Sequence, residues 1–171
     1  MAMNTQKLLT LALLLFWVER TTAVSFEPLN QAIAKALGTT KAAKRSLGRE
    51  LASRDQGGDV YYSKGPGGKA ETLAFVQKGV YEPNCTHTWV VGVNAHSATI
   101  KTVRVVEMSC PHAFPTKAAS FLDQYQGKGP AEVKSLENSV NTIAKATGSS
   151  RLTTHAVKRS ILTAMKLKGK I

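Results

Sequence analysis

Apolar residues recur with helical spacing at both ends of the chain and form strand-like runs in the middle. Between Phe26 and Ser53, this spacing is interrupted at Gly38 and predicts two short helices. Runs rich in β-branched and aromatic residues then predict four strands, at 60–62, 71–77, 88–93 and 100–106. Three further helices are predicted over 116–125, 130–146 and 154–168.

Residues 1–23 have the composition of an export signal. A lysine precedes an apolar run over 8–18, and small residues then lead to Ala23, after which we expect cleavage. The run is shorter than the about 20 residues of a membrane-spanning helix. Glu19 and Arg20 are unusual beside a cleavage site, so an uncleaved membrane tether is the alternative. Either case predicts an exported protein in the periplasm or another extracytoplasmic space.

The chain is basic, with 23 Lys and Arg residues against 11 Asp and Glu residues and a formal net charge of +12. Such a surface suits an anionic redox partner or the acidic headgroups of a membrane. Nucleic acid is not expected as a partner, because export removes it and aromatic residues are not interleaved with the basic ones. The acidic residues are scattered and form no pair suited to acid–base catalysis, so no catalytic residue is predicted.

Two cysteines, Cys85 and Cys110, flank the strands predicted over 88–93 and 100–106. If these strands form a hairpin in which Val93 faces Ile100, bulges must absorb two extra residues of the second strand before the cysteines can meet. Export favours a structural disulfide between them. A redox-active disulfide and a zinc site are the alternatives, the latter with the histidines of the Cys-Thr-His and Cys-Pro-His triplets. Since one intervening residue is an unusual spacing for paired zinc ligands, no metal ligand is predicted.

A run of hydroxyl-bearing and basic residues precedes the last predicted helix. Amide groups and the dipole at a helix start favour a phosphate group, so this run is a candidate anion-binding site. Ordinary helix caps are the alternative, because Ser and Thr are common at helix starts. The candidate residues are Thr147, Gly148, Ser149, Ser150, Arg151, Thr153, Thr154 and His155.

This run resembles the FMN-binding domain family, which occurs in flavin subunits of sodium-pumping NADH:quinone oxidoreductases, in Rnf complexes and in exported flavoproteins. The resemblance includes the segment 121–128, similar to a family helix with its Gly-Lys exit, and the strand pair ending at Glu107. It implies FMN as the cofactor and an α+β fold, a twisted antiparallel sheet with packed helices, which agrees with the predicted elements. On this basis 57–171 is the FMN-binding domain, and 24–56 is an N-terminal helical segment.

In many members of the family a flavin transferase esterifies the last hydroxyl residue of a Ser/Thr-Gly-Ala-Thr/Ser motif with the phosphate of FMN. Two alignments of that motif are open: residues 147–150 would make Ser150 the acceptor, whereas residues 144–147 would make Thr147 the acceptor. Thr153 and Thr154 are further candidates, and non-covalent binding stays open. Candidates for the phosphate contacts are Arg151, His155 and Lys158, and candidates for the wall of the flavin ring are Phe114, Phe121 and Tyr125.

The resemblance implies an exported flavoprotein that carries electrons between extracytoplasmic or membrane redox partners, since flavin chemistry belongs to the cofactor. A flavin transferase would be a further partner. An alternative from another class is a cofactor-free, disulfide-containing basic module that binds polyanions or makes peripheral contact with a membrane surface.

Overall fold

The computed structural model describes residues 23–48, 51 and 55–171. The predicted export signal lies outside these residues except for Ala23. Within the described part of the chain, no helix combines the length and the apolar character that a membrane span requires.

The α+β fold class is confirmed: six antiparallel strands form one open sheet in the order β1-β6-β5-β4-β3-β2, and helices pack on it. The strands are β1 (Val24–Ser25), β2 (Ala43–Ser46), β3 (Gln56–Lys64), β4 (Ala70–Tyr81), β5 (Cys85–Asn94) and β6 (Ile100–Met108). The α-helices are α1 (Leu29–Leu37), α2 (Ala119–Leu122) and α3 (Thr147–Leu167). Short 3₁₀ helices lie at Pro66–Gly68, Pro111–Lys117, Asp123–Tyr125 and Leu136–Asn138.

The prediction of a second helix after Gly38 is wrong. Gly38 ends α1 in the left-handed conformation, and the basic residues that follow form strand β2 at the edge of the sheet. Lys44 and Arg45 pair with Tyr61 and Val60 of β3. Charged side chains are well tolerated on an edge strand, where they also discourage pairing with other chains.

The helix predicted over 130–146 is also absent, and the region forms turns with one short 3₁₀ helix. Ser135 and Ser139 donate their hydroxyl hydrogens to the carbonyl oxygens of Glu132 and Leu136. Such local hydrogen bonds compete with a continuous helix. The segment predicted as one helix over 116–125 likewise divides into α2 between two 3₁₀ helices.

The two faces of the sheet are covered by different helices. Residues alternate along β4, so that Ala74 and Val76 pack against α1 while Leu73 and Phe75 belong to the larger core under α3. α1 approaches the sheet closely at Gly92, where an added Cβ atom would lie 3.0 Å from the carbonyl oxygen of Ala36. α3 therefore lies on the opposite face from α1.

The predicted hairpin and its two extra residues are confirmed. Val93 pairs with Ile100, and register shifts beside Gly92 and beside Thr88 each pass over one residue of β6. Cys85 and Cys110 consequently meet beyond the end of the ladder and form the predicted disulfide, with their Cα atoms 5.3 Å apart.

Glu27 joins the start of α1 to strand β6. Its carboxylate accepts hydrogen bonds from Arg104 (Nε, 2.6 Å) and Lys35 (Nζ, 3.1 Å). Burial alone would raise the pKa of Glu27, but the hydrogen bonds and charges of the two cations outweigh it and hold this pKa below its ordinary value. Because the folded-state pKa is lowered, the stabilising effect is present above the unfolded-state pKa and is lost as the pH falls through the folded-state pKa.

We therefore expect Glu27→Gln to lower the free energy of unfolding by about 1–2 kcal/mol at pH 7, with a smaller loss at pH 3. Thermal unfolding of both proteins at the two pH values measures this difference. Glu82→Gln, which alters an exposed carboxylate, is the control and should have little effect. A loss from Glu27→Gln that is equal at both pH values would contradict the assignment.

Candidate functional site

The candidate run lies within the first turns of α3, because this helix begins at Thr147 and not at the predicted Thr154. Buried residues of the helix recur at helical spacing and include many small hydroxyl side chains beside Val157 and Ile161. The candidate run therefore belongs to the helix itself, with an inward and an outward face, whereas the sequence predicted that it precedes the helix.

Four of the eight candidate residues face inward, and their hydroxyls already have protein partners. Ser149 Oγ lies 3.0 Å from His87 Nε2, and Thr154 Oγ1 lies 2.8 Å from the hydroxyl of Tyr125. Ser150 donates to the carbonyl oxygen of Ala146 and accepts from a backbone N–H, while Thr153 donates to the carbonyl oxygen of Ser149. All four side chains are buried, and Ser149 bonds directly to a strand of the sheet through His87.

The other four candidates lie at the surface. Thr147, Arg151 and His155 are exposed and Gly148 is half-buried. The first amide of α3 with a helical partner belongs to Ser150, which donates to the carbonyl oxygen of Ala146. The amides of the preceding helical residues point out of the helix start. Among the described residues, no side chain caps this start, and its first turn holds no acidic residue.

The three basic residues predicted to contact the phosphate differ in whether they already lie beside a carboxylate. His155 Nε2 lies 3.6 Å from Glu137 Oε1, and Lys158 Nζ lies 3.3 Å from the same oxygen. Arg151 has no such carboxylate contact within the described residues. Of the three basic candidates, Arg151 is therefore the one whose charge is not shared with Glu137.

An apolar cleft borders the start of α3. It has a volume of about 200 Å³ and is lined by Tyr81, Glu82, Pro83, Asn84, Cys85, Cys110 and His112. The half-exposed ring of Tyr81 connects it to the helix, because an added Cβ atom at Gly148 would overlap this ring. The helix start, an aromatic ring and the disulfide thus lie at one end of the molecule.

The predicted aromatic wall is not at this cleft. Phe121 and Tyr125 are buried in the core with their rings edge to face, and their centroids are 5.7 Å apart. Burial raises the pKa of Tyr125 to about 12, so its hydroxyl stays protonated. Phe114 packs against Phe26. Tyr81, which the sequence analysis did not select, is the aromatic residue beside the helix start.

His87 is a further residue that the sequence analysis did not assign to this site. It is buried, and its ring stacks on Trp89. Desolvation of the buried ring lowers the pKa of His87, and this favours the neutral form. A neutral His87 that donates Nδ1–H to the carbonyl oxygen of Cys85 accepts the hydroxyl hydrogen of Ser149 at Nε2. His87 thus links the disulfide strand to the first turn of α3.

Two larger clefts lie elsewhere on the described part of the chain. One, of about 390 Å³, contains Glu27 and Arg104, whose charges are already paired. The other, of about 520 Å³, lies between the end of α1 and strands β2, β3 and β4. Neither is lined by the eight candidate residues, by Lys158 or by the three candidates for the aromatic wall.

No protein-family model, curated protein or solved structure matches the chain. The resemblance to FMN-binding domains therefore rests on the segments quoted in the sequence analysis. The cofactor, the partners and the location stay predictions, while the fold class and the disulfide are confirmed.

The inward hydroxyls predict a clear difference between two neighbouring substitutions. Ser149→Ala should lower the free energy of unfolding by about 1 kcal/mol, because the buried Nε2 of His87 loses its partner. Thr147→Ala, at the exposed first position, should change it by less than about 0.5 kcal/mol. Urea unfolding measures both, and equal effects would show that Ser149 is not part of the helix–sheet contact.

Proposed function

We propose that this chain is an exported flavoprotein that binds FMN at the start of α3 and carries electrons between extracytoplasmic redox partners. The observation that carries the proposal is the exposed residue Thr147 at a helix start without a side-chain cap, near an apolar cleft with an aromatic rim. A helix start attracts a phosphate group through its free amides and its dipole.

The residues fit FMN only in part. Thr147, the outward amides of the first turn and Arg151 would hold the phosphate, and Tyr81 with the cleft would contact the ring. The predicted contacts from Ser149, Ser150, Thr153 and Thr154 do not fit, because their hydroxyls are buried and already hydrogen-bonded. The proposed site is therefore smaller than the run of eight candidates.

This geometry favours one of the two motif alignments. Ser150 is completely buried, and its hydroxyl both donates and accepts a hydrogen bond. A transferase would have to open the helix start before it could reach this oxygen. Thr147 is exposed and needs no such opening. The proposed acceptor is thus Thr147, which corresponds to the alignment over residues 144–147.

Bound FMN would supply one- or two-electron redox chemistry. The chain itself would fix the phosphate end with Thr147 and Arg151, and the ring of Tyr81 would limit water on one side of the cleft. Because the cleft is shallow and lies at the surface, redox partners could approach closely. The basic surface would favour acidic partners through long-range attraction.

The direct test is production of the protein in an exporting host that contains a flavin transferase. We expect the acid-precipitated protein to keep yellow colour and flavin absorbance, and Thr147→Ala to lose both, because the ester oxygen is gone. Thr147→Ser should retain them, since it keeps a hydroxyl at the same position. Ser150→Ala should also retain them.

Loss of the colour in Ser150→Ala together with retention in Thr147→Ala would move the acceptor to Ser150. Retention of the colour in both variants would indicate that Thr153 or Thr154 is the acceptor. A wild-type protein that is colourless and that does not quench the fluorescence of added FMN would reject the flavoprotein proposal.

A separate observation favours contact with an anionic membrane surface as a second candidate function. Leu162 and Met165 are 41% and 45% exposed, one turn apart on the outward face of α3. The exposed residues Lys166 and Lys168 follow them. An apolar pair flanked by cations is the pattern of a helix that lies on acidic headgroups.

This second candidate predicts binding to phosphatidylglycerol-containing vesicles and little binding to phosphatidylcholine vesicles. The double change Leu162→Ser and Met165→Ser should weaken binding about tenfold, because two apolar side chains no longer insert between the headgroups. Vesicle co-sedimentation measures the effect, with Val24→Ser as the control at an equally exposed apolar residue. Equal binding to both vesicle types would reject this function.

A further inference from the structure

Three side chains that can bind metal ions converge where strand β5 begins and strand β6 has ended. One ligand atom each from Cys85, Cys110 and His112 lies within 4.8 Å of the other two. Cys85 is buried, Cys110 is half-buried and His112 is exposed, so the group extends from the core to the surface. Two thiolates and one imidazole are ligands that zinc prefers.

The chain direction explains why these ligands can meet despite their sequence spacing. Strand β6 ends at Met108, and a 3₁₀ helix begins at Pro111. His112 therefore lies in the first turn of this 3₁₀ helix, and the geometry of an extended strand does not apply to the pair Cys110 and His112. Their spacing of one intervening residue, which is unusual for paired zinc ligands, is therefore no obstacle here.

His87 lies beside this group of three side chains but is not one of the proposed ligands. Its Nδ1 lies 3.0 Å from the carbonyl oxygen of Cys85, and its Nε2 lies 3.0 Å from Ser149 Oγ. Both ring nitrogens are thus already in hydrogen bonds. Because Nε2 is also 3.9 Å from the Cys85 sulfur, His87 packs against this cysteine.

We propose that the reduced form of this protein binds one zinc ion through Cys85 Sγ, Cys110 Sγ and an imidazole nitrogen of His112. The disulfide form is then the oxidised, metal-free state. The fourth ligand position would lie toward the cleft and accept water, as in zinc sites with three protein ligands. The site does not depend on FMN.

The change between the two states balances as a thiol–disulfide exchange. A dithiol reductant supplies two electrons, the sulfur–sulfur bond of Cys85 and Cys110 breaks, and the reductant becomes a disulfide. Two thiols result in this protein. When zinc binds, both thiols release their protons to water and the two thiolates coordinate the ion.

The test uses the full mature chain, produced without a flavin transferase and reduced under nitrogen with a phosphine, which becomes the phosphine oxide. Co²⁺ serves as the spectroscopic probe. We expect one Co²⁺ per chain, with thiolate-to-cobalt charge transfer and the visible bands of a tetrahedral site, and displacement by one equivalent of Zn²⁺. The unreduced protein should give no such bands.

His112→Ala should weaken Zn²⁺ binding by at least about tenfold, because loss of a direct ligand costs no less than loss of its supporting partner. His96→Ala is the matched control, since His96 is exposed in the turn at the opposite end of the hairpin. It should bind Zn²⁺ as the wild-type protein does. Equal affinity in His112→Ala would overturn the proposed ligand set.

Circular dichroism determines whether the reduced chain is folded. A reduced chain that is folded and gives no cobalt bands would overturn the proposal. If the reduced chain is unfolded, recovery of the native spectrum on addition of Zn²⁺ would support the site, and failure to recover would overturn it. These outcomes are independent of FMN binding, because the samples are made without a flavin transferase and are used only when they show no flavin absorbance.

Discussion

The contact between helix α3 and the sheet determines where the residues of both proposed sites lie. Its polar half is a set of buried hydrogen bonds between helix and strands: Ser160 accepts from the side-chain amide of Gln77, Thr163 donates to Gln56, and Ser149 contacts His87. Its apolar half places Val157 and Ile161 in the core. Because a buried polar group that loses its partner costs free energy, these bonds favour one rotation and one axial position of the helix.

That fixed position determines which chemical groups reach the surface at one end of the molecule. It turns the hydroxyls of Ser149 and Thr153 inward and leaves Thr147 outward at the helix start. The two bulges of the β5–β6 hairpin bring Cys85 and Cys110 together at the same end. Tyr81 lies between the helix start and the disulfide. The two proposed sites share one cleft for this reason, since Cys85, Cys110 and His112 also line it.

The parts of the fold that the sequence predicted are those with a strong local pattern. The β-branched runs fixed the hairpin, and counting from Val93 and Ile100 gave the two extra residues that the disulfide needs. The inward face of α3 was not predictable in this way, because its hydroxyl residues count as polar in any hydrophobic pattern. Tyr81 was missed as well, since its contact with Gly148 depends on how strand and helix pack.

The most direct test of the central claim locates the flavin on the chain. Trypsin cleavage after Lys145 and Arg151 releases residues 146–151, a peptide that contains Thr147 and Ser150. From a host with an active flavin transferase, fragmentation of this peptide should place the mass of one FMN, less one water, on Thr147. The same mass on another residue, or none while the host modifies a known substrate, would contradict the account.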